Sequence, residues 1–313
     1  MEDVAAKVGL SASRLDRIGR HFRRYVDDGR LAGVSTLVSR RGEVAHRFTY
    51  GWRDLEARAP MTEDTIVRIY SMTKPVTTVG LLTLYEEGRF SLGDPVSAFL
   101  PALGELRVFD GGDAAAYRTR PPEREVTVVD LLTHTAGLTY WFQEQSPVDD
   151  LYRRAGVDRD SCPDLATMVA RLGELPLVFS PGTRWNYSVA TDVVGRLIEV
   201  IAGQPLDRFL AERVIGPLGM VDTGFSVPAD RLDRLAANYR RGPDGTLERV
   251  DGTTTSSFAR PPTFLSGGGG LVSTAEDYHR FCLMILNGGC VGGERILGRK
   301  TVEYLGRNHL PGG

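Results

Sequence analysis

Apolar positions divide the chain into elements before any single residue stands out. Leu15, Ile18, Phe22, Tyr25 and Val26 recur at helical spacing and predict an amphipathic helix from about Ser13 to Asp28, stopped near Gly29. Val34 to Val38 and Val44 to Phe48 flank Arg40-Arg41-Gly42, the pattern of a β-hairpin. His46 lies on the second of these strands, and with no ligand-like neighbour its expected role is structural. Val76, Val79, Leu81, Leu82 and Leu84 are apolar on most sides of a helix, which predicts a buried one ending at Gly88 as a left-handed cap.

Past that helix the pattern is more broken. Asp94-Pro95 to Pro101 reads as a loop, and the polar stretch from Asp110 to Glu123 as a surface excursion. Thr127 and Asp130 have capping-box spacing and open a short helix through Leu131 and Leu132. A turn at Ser180-Pro181-Gly182 leads through Trp185 and Tyr187 into a helix carrying Val193, Leu197, Val200 and Ile201, closed by Gly203. A further helix is expected from Leu206 to Val214. Gly242 to Gly245 is a turn between two strand-like stretches. Ser266 to Gly270 reads as close backbone packing, because no Lys-Ser/Thr follows to make it a phosphate cradle. Ser273 to Glu276 has capping-box form, and the helix beyond is expected to bury Phe281, Cys282, Met284 and Ile285.

Composition narrows the choice of partner and compartment. With 313 residues, 42% of them hydrophobic, the chain can bury a large core, and a net charge of −2 gives no case for nucleic acid or an anionic membrane surface. Cys162, Cys282 and Cys290 have neither disulfide-framework nor zinc spacing, so no metal is expected and a reducing compartment fits. The opening Met1 to Lys7 lacks a leader pattern, and no apolar run approaches membrane-spanning length, so the expected location is cytoplasmic.

The candidate chemistry lies at Ser71-Met72-Thr73-Lys74. If Ser71 opens the buried helix, its hydroxyl and the Lys74 amine share a face one turn apart, a nucleophile beside a base. Of 38 basic residues only Lys7, Lys74 and Lys300 are lysines, so arginine fills the other 35 positions where positive charge alone is wanted. Arginine does not give up its proton near neutral pH, whereas a desolvated lysine can. His134 offers itself as a general base, or fastens the turn after the short helix. Tyr140-Trp141-Phe142 either line an acyl pocket or anchor the core.

Ser71 to Lys74, together with the distant Tyr187, resembles the serine β-lactamase and penicillin-binding-protein superfamily, nearest to class C β-lactamases and the carboxylesterases sharing their fold, the family VIII esterases. Leu132 to Leu138, Pro181 to Ser188, Pro217 to Met220 and Gly267 to Thr274 are similar to that family in order. The resemblance implies a β-lactamase/transpeptidase-like fold, α/β plus an all-α region, with an antiparallel sheet built from the early hairpin and late strands and flanked by helices. It implies one catalytic unit over 1–313, its α/β part about 1–70 and 255–313 and its mainly helical part about 71–254.

The implied mechanism is hydrolysis of short carboxylic esters through an acyl-serine, with Ser71, Lys74 and Tyr187 catalytic, Tyr140, Trp141 and Trp185 facing a small-molecule ester, and no cofactor. Two departures matter. Where the lactamase branch has Tyr-x-Asn, this chain has Tyr187-Ser188-Val189, which favours the esterase branch. Lys300-Thr301-Val302 imitates the third motif without its glycine and leads into a helical pattern, so it reads as a decoy. The expectation is then a C-terminally truncated chain lacking the closing strands and one oxyanion donor, a loss that typically costs about 10²–10³ in turnover. Alternatives are a β-lactamase, a D-amino-acid peptidase or amidase, an acyltransferase, or a non-catalytic binding relative; oligomeric state is not legible.

Overall fold

Two left-handed residues at the tip of the first hairpin, Arg41 and Gly42 with φ of 56° and 84°, let the chain reverse in the tight turn that strand twist favours. The strands they join are β1 (Gly33–Arg40) and β2 (Glu43–Asp54), antiparallel and extended by β3 (Ala59–Pro60). Ahead of them come α1 (Val4–Lys7) and α2 (Ala12–Asp27); the latter matches its predicted span to within a residue at each end. The computed structural model describes residues 4–312; Met1-Glu2-Asp3, on which part of the expectation about the opening segment falls, and Gly313 lie outside them.

Along the chain follow β4 (Val67–Arg68), α3 (Thr73–Glu86), β5 (Val108–Gly112), β6 (Tyr117–Arg120), α4 (Val128–Leu132), α5 (Pro147–Arg154) and α6 (Leu165–Gly173). After these come α7 (Ala190–Ala202), α8 (Leu206–Leu210), β7 (Asn238–Arg241), β8 (Leu247–Asp251), β9 (Val272–Ser273), α9 (Ala275–Leu286), β10 (Cys290–Val291), β11 (Glu294–Arg295) and α10 (Arg299–Leu305). The chain forms two compact units. One comprises Met1–Arg68, Gly219–Pro262 and Val272–Leu283; the other comprises Ile69–Leu218, Thr263–Leu271 and Met284–Gly313.

In the first unit β4 pairs with the late strand β9, and Ile66, Val227, Leu235, Phe258 and Val272 form a buried cluster. Arg68 is drawn into this unit with its side chain 4% exposed. Its Nε donates to Asp251 Oδ2 at 2.8 Å, Nη1 to the Ala236 carbonyl at 2.6 Å and Nη2 to Ser256 Oγ at 3.0 Å. The second unit is mainly helical. There α3 is buried along most of its length, and Gly80 lets Leu210, Phe209 and Ile198 of the neighbouring helices close on it.

Several expectations are corrected. The polar excursion at 110–123 contains a hairpin, β5 with β6, because the Phe109 and Tyr117 rings pack at 6.3 Å with a 30° tilt and left-handed Gly111 and Gly112 absorb its irregular register. The loop at 94–101 winds into single 3₁₀ turns at Val96–Ala98 and Pro101–Leu103. The helix begun at Leu206 changes to a π turn over Ala211–Ile215, closed by the Gly216 N–H on the Ala211 carbonyl. The cap of α9 falls one residue later than predicted: Thr274 Oγ1 accepts from the Asp277 N–H at 3.1 Å while Ser273 stays in β9. Phe281 and Met284 are buried on α9, but Cys282 is exposed and Ile285 half-buried, because the helix turns that face outward.

The expected glycine stops, capping box and turn are present. Gly88 and Gly203 are left-handed just past α3 and α7, Thr127 and Asp130 form the capping box of α4, and Gly242 to Gly245 joins β7 to β8. Lys300-Thr301-Val302 is helical, within α10. His46 sits on β2 with its Nε2 buried and without a hydrogen-bond partner. No helix among the described residues is long and apolar enough to cross a membrane.

Removing the carboxylate that faces a buried guanidinium leaves an uncompensated charge, which typically costs several kcal/mol. Asp251→Ala is therefore expected to destabilise the fold by about 3 kcal/mol in chemical denaturation. A loss below about 1 kcal/mol would show that Arg68 is held by its carbonyl and hydroxyl partners alone.

Candidate active site

The site is built on the entry to α3. Tyr70 has a left-handed φ of 44°, and the turn it makes starts a 3₁₀ segment, Tyr70–Met72, that runs into α3 at Thr73. Ser71 thus lies just ahead of the α-helix instead of opening it, with Pro75 inside the first turn, where few intrahelical bonds exist to lose. The i to i+3 relation survives this change. Lys74 Nζ donates to Ser71 Oγ at 3.2 Å and to the Gly268 carbonyl at 2.7 Å.

That carbonyl comes from the four-glycine turn, laid across the start of α3. The Leu271 N–H donates to Thr73 Oγ1 at 3.1 Å, and Thr77 Oγ1 to the Gly267 carbonyl at 2.8 Å. A Cβ on Gly267 would stand 2.6 Å from the Thr191 carbonyl oxygen, and one on Gly268 2.6 Å from Asp192 Oδ2. The glycines are there for close approach, as the sequence suggests.

Tyr187 completes the cluster, its Oη 2.5 Å from Ser71 Oγ. It reaches this place through two interlocked loops. Following α4, left-handed His134 gives its carbonyl to the Asn186 N–H at 2.9 Å, and Thr139 gives its carbonyl to the Val189 N–H at 3.3 Å. Asn186 Nδ2 donates to the Leu138 carbonyl at 2.9 Å, and Gln143 Nε2 donates to the carbonyl of Tyr187 itself. The phenol ring packs between His134 and Tyr140, at centroid distances of 5.1 and 5.2 Å, with Lys74 Nζ 4.7 Å above it.

A cavity of about 350 Å³ opens at Ser71. Tyr140, Trp141 and Phe142 line it together with Tyr70, Met168 and Phe264, and Asp158-Arg159-Asp160 lie on its wall. Of Tyr140, Trp141 and Trp185, the first two thus line this cavity. Trp185 is not among the lining residues; it is over half exposed, stacked on the Tyr187 ring and edge-on to the His134 ring, at 6.4 Å from each. Val189 lies on the cavity wall where an amide would stand in a Tyr-x-Asn sequence, and Asn186 is occupied with Leu138.

Three further residues belong to the cluster, two of them in the glycine turn that the sequence marks only for close packing. Asp192, Ser266 and Gly268 form a bonded group beneath Lys74, with Asp192 Oδ1 accepting from Ser266 Oγ at 2.6 Å. The signal for Asp192 was an acid between buried Ala190 and Val193. His134 is not placed as a base toward Ser71: its Nδ1 is 3.2 Å from Ser188 Oγ. Burial, and then the Lys74 charge, push the imidazole down to about 4. Burial, followed by the Asp192 and Tyr187 charges, pushes the Tyr140 phenol upward. Among the described residues no group of three His, Cys, Asp or Glu side chains converges to hold a metal ion.

Helices around small antiparallel sheets, with a Ser-x-x-Lys pair at the entry to a buried helix, make up the β-lactamase/transpeptidase-like fold. The chain belongs to the Beta-lactamase family, whose model matches residues 18–313. It is 40% identical over 296 residues to Protein Rv1367c of Mycobacterium tuberculosis (strain ATCC 25618 / H37Rv), a match covering 95% of this chain and 72% of that one. It is 36% identical over 286 residues to Esterase EstB of Burkholderia gladioli, covering 86% of this chain and 68% of that one. The solved structure of EstCE1, a hydrolase with promiscuous acyltransferase activity, matches with a TM-score of 0.75 at 27% identity, over 93% of this chain and 75% of that one.

Between its ordinary value of 6.5 and its folded value of about 4, His134 takes up a proton in the unfolded chain and not in the folded one. Stability is thus complete above pH 6.5 and falls as pH drops toward 4, by up to roughly 3 kcal/mol from this residue. His134→Asn, which suits a left-handed backbone, is expected to flatten the fall of Tm over that interval. Equal slopes for the two proteins in calorimetry would refute the assignment.

Proposed function

We propose that the chain is a serine hydrolase that cleaves carboxylic esters through a covalent acyl-serine intermediate. The observation that carries this reading is the contact of one hydroxyl, Ser71 Oγ, with both the Lys74 amine and the Tyr187 phenol, at 3.2 and 2.5 Å. In this reading Ser71 Oγ attacks the ester carbonyl, and its proton passes through Lys74 and Tyr187 to the departing alkoxide. The Ser71 N–H, at the positive end of α3, donates to the oxyanion. A water molecule, deprotonated by the same pair, then attacks the acyl-serine, and Ser71 regains its proton as the acid leaves.

Val189 supports an ester over a β-lactam, since an apolar wall offers no partner to an acylamide side chain. The aromatic lining supports an apolar group on at least one side of the scissile bond. The similarity to EstB supports the same substrate class. The similarity to EstCE1, together with a cavity open beside Ser71, favours as a second reading transfer of the acyl group to a small alcohol in place of water.

Ser71→Ala is expected to remove hydrolysis of a chromogenic butyrate ester and labelling by a fluorophosphonate probe, with Tm unchanged. Lys74→Arg leaves a cation that cannot give up its proton and so cannot accept one from Ser71, and is expected to lower kcat by about 10²–10⁴. Ester turnover retained in Ser71→Ala, or turnover of a chromogenic cephalosporin equal to that of the ester, would overturn the reading.

A further inference from the structure

Asp192 is an acid where the pattern of α7 calls for core. It lies in the first turn of that helix and is 5% exposed. Burial penalises a carboxylate unless it is well bonded. Asp192 Oδ1 accepts from Ser266 Oγ at 2.6 Å and from the Gly268 N–H at 3.0 Å, and Oδ2 stands 2.6 Å from where a Cβ on Gly268 would be. On the far side of the same residue the Gly268 carbonyl accepts from Lys74 Nζ at 2.7 Å. The N–H and the carbonyl of Gly268 lie in successive peptide planes joined at one Cα, so holding the N–H plane leaves only the φ and ψ of Gly268 between the grip and the carbonyl.

We propose that Asp192 is a positioning residue: by holding Ser266 Oγ and the Gly268 N–H, it aims the Gly268 carbonyl that anchors Lys74 Nζ against Ser71 Oγ. This rests on the role given above to Lys74. Other bonds flank this grip: Thr77 Oγ1 donates to the Gly267 carbonyl at 2.8 Å, and the Gly269 and Gly270 N–H groups donate to the Ser266 carbonyl at 3.4 and 2.9 Å, while Asp192 bonds both Ser266 Oγ and the N–H of the residue whose carbonyl meets the amine. The groups facing Lys74 are the Tyr187 and Tyr140 rings, at 4.7 and 5.6 Å, with His134, Ser71 and Asp192 around them. Burial pushes the Asp192 carboxyl upward, and Ser266, the Gly268 N–H and the Lys74 charge draw it back, in that order.

A chain with only three lysines makes this testable without turnover, because Lys7 and Lys300 are internal references for the reactivity of Lys74. In Asp192→Asn, of nearly equal size, trace acetic anhydride labelling of Lys74 relative to Lys7 and Lys300 is expected to rise severalfold as the amine loses its hold. Alongside it, kcat for the ester is expected to fall about tenfold to a hundredfold with KM nearly constant. An unchanged labelling ratio in the folded variant overturns the proposal, whether or not kcat falls. Should Asp192→Asn fail to fold, Ser266→Ala removes one of the two bonds and decides by the same ratio, a rise supporting the proposal and no change overturning it. If the parent protein hydrolyses no ester, the functional reading fails, while the labelling ratio still decides what Asp192 holds.

Discussion

Everything at the site depends on how one amine is held. Lys74 Nζ sits between a backbone carbonyl at 2.7 Å and a hydroxyl at 3.2 Å, so two of its three donor positions are spent on fixed partners. The hydroxyl is fixed because helical geometry puts position 71 within reach of position 74, even though the backbone at Ser71 is 3₁₀ and not α. The carbonyl is fixed because a run of glycines lets the backbone lie directly on α7 and on the start of α3. Side chains at Gly267 or Gly268 would press that backbone away by more than the length of a hydrogen bond tolerates.

The phenol obeys a different logic. Tyr187 lies in a loop, where a side chain would ordinarily sample several rotamers. Here the loop is laced to the segment from His134 to Thr139 by backbone bonds and by Asn186, so the ring has one place to go. A reacting group held in a single geometry is worth far more than one that must be ordered at the moment of reaction. The same lacing puts Val189 on the cavity wall and commits Asn186 elsewhere. The apolar wall is thus a consequence of how the loop is anchored as well as of which residue occupies the position.

This division explains what was legible in the sequence. Ser71 and Lys74 were readable because helical periodicity is local and lysine is rare in this chain. Tyr187 was readable only through resemblance, since no spacing rule brings a residue 116 positions from Ser71 into contact with it. The helices α2, α3 and α7 and their glycine stops followed from apolar spacing and left-handed caps. The hairpin at 108–120 did not, because it rests on one aromatic pair and two irregular glycines, and its surface is polar. Ser266 and Asp192 were opaque for a similar reason: each is an ordinary polar residue whose meaning lies in a contact across 74 positions. Cys282 misled in the other direction, because α9 turns the face that carries it outward.

The electrostatics of the cavity close the argument. The aromatic side chains that line the cavity lower the polarity on one side of Ser71, which itself stays exposed, and strengthen the interactions made against them. Two of the ionisable groups around Ser71 are held neutral by their surroundings: His134 by burial and the nearby lysine, Tyr140 by burial and the nearby carboxyl. A third, Asp192, is buried and bonded on the glycine turn opposite Lys74. In the proposed reaction a proton leaving Ser71 would move among groups already fixed by bonds to the glycine turn, and little reorganisation would accompany it. Had the histidine carried a proton, it would have repelled the ammonium beside it and loosened the contact on which the hydroxyl depends. The burial that costs stability at low pH is thus the same burial that lets one lysine stand close to one serine at neutral pH.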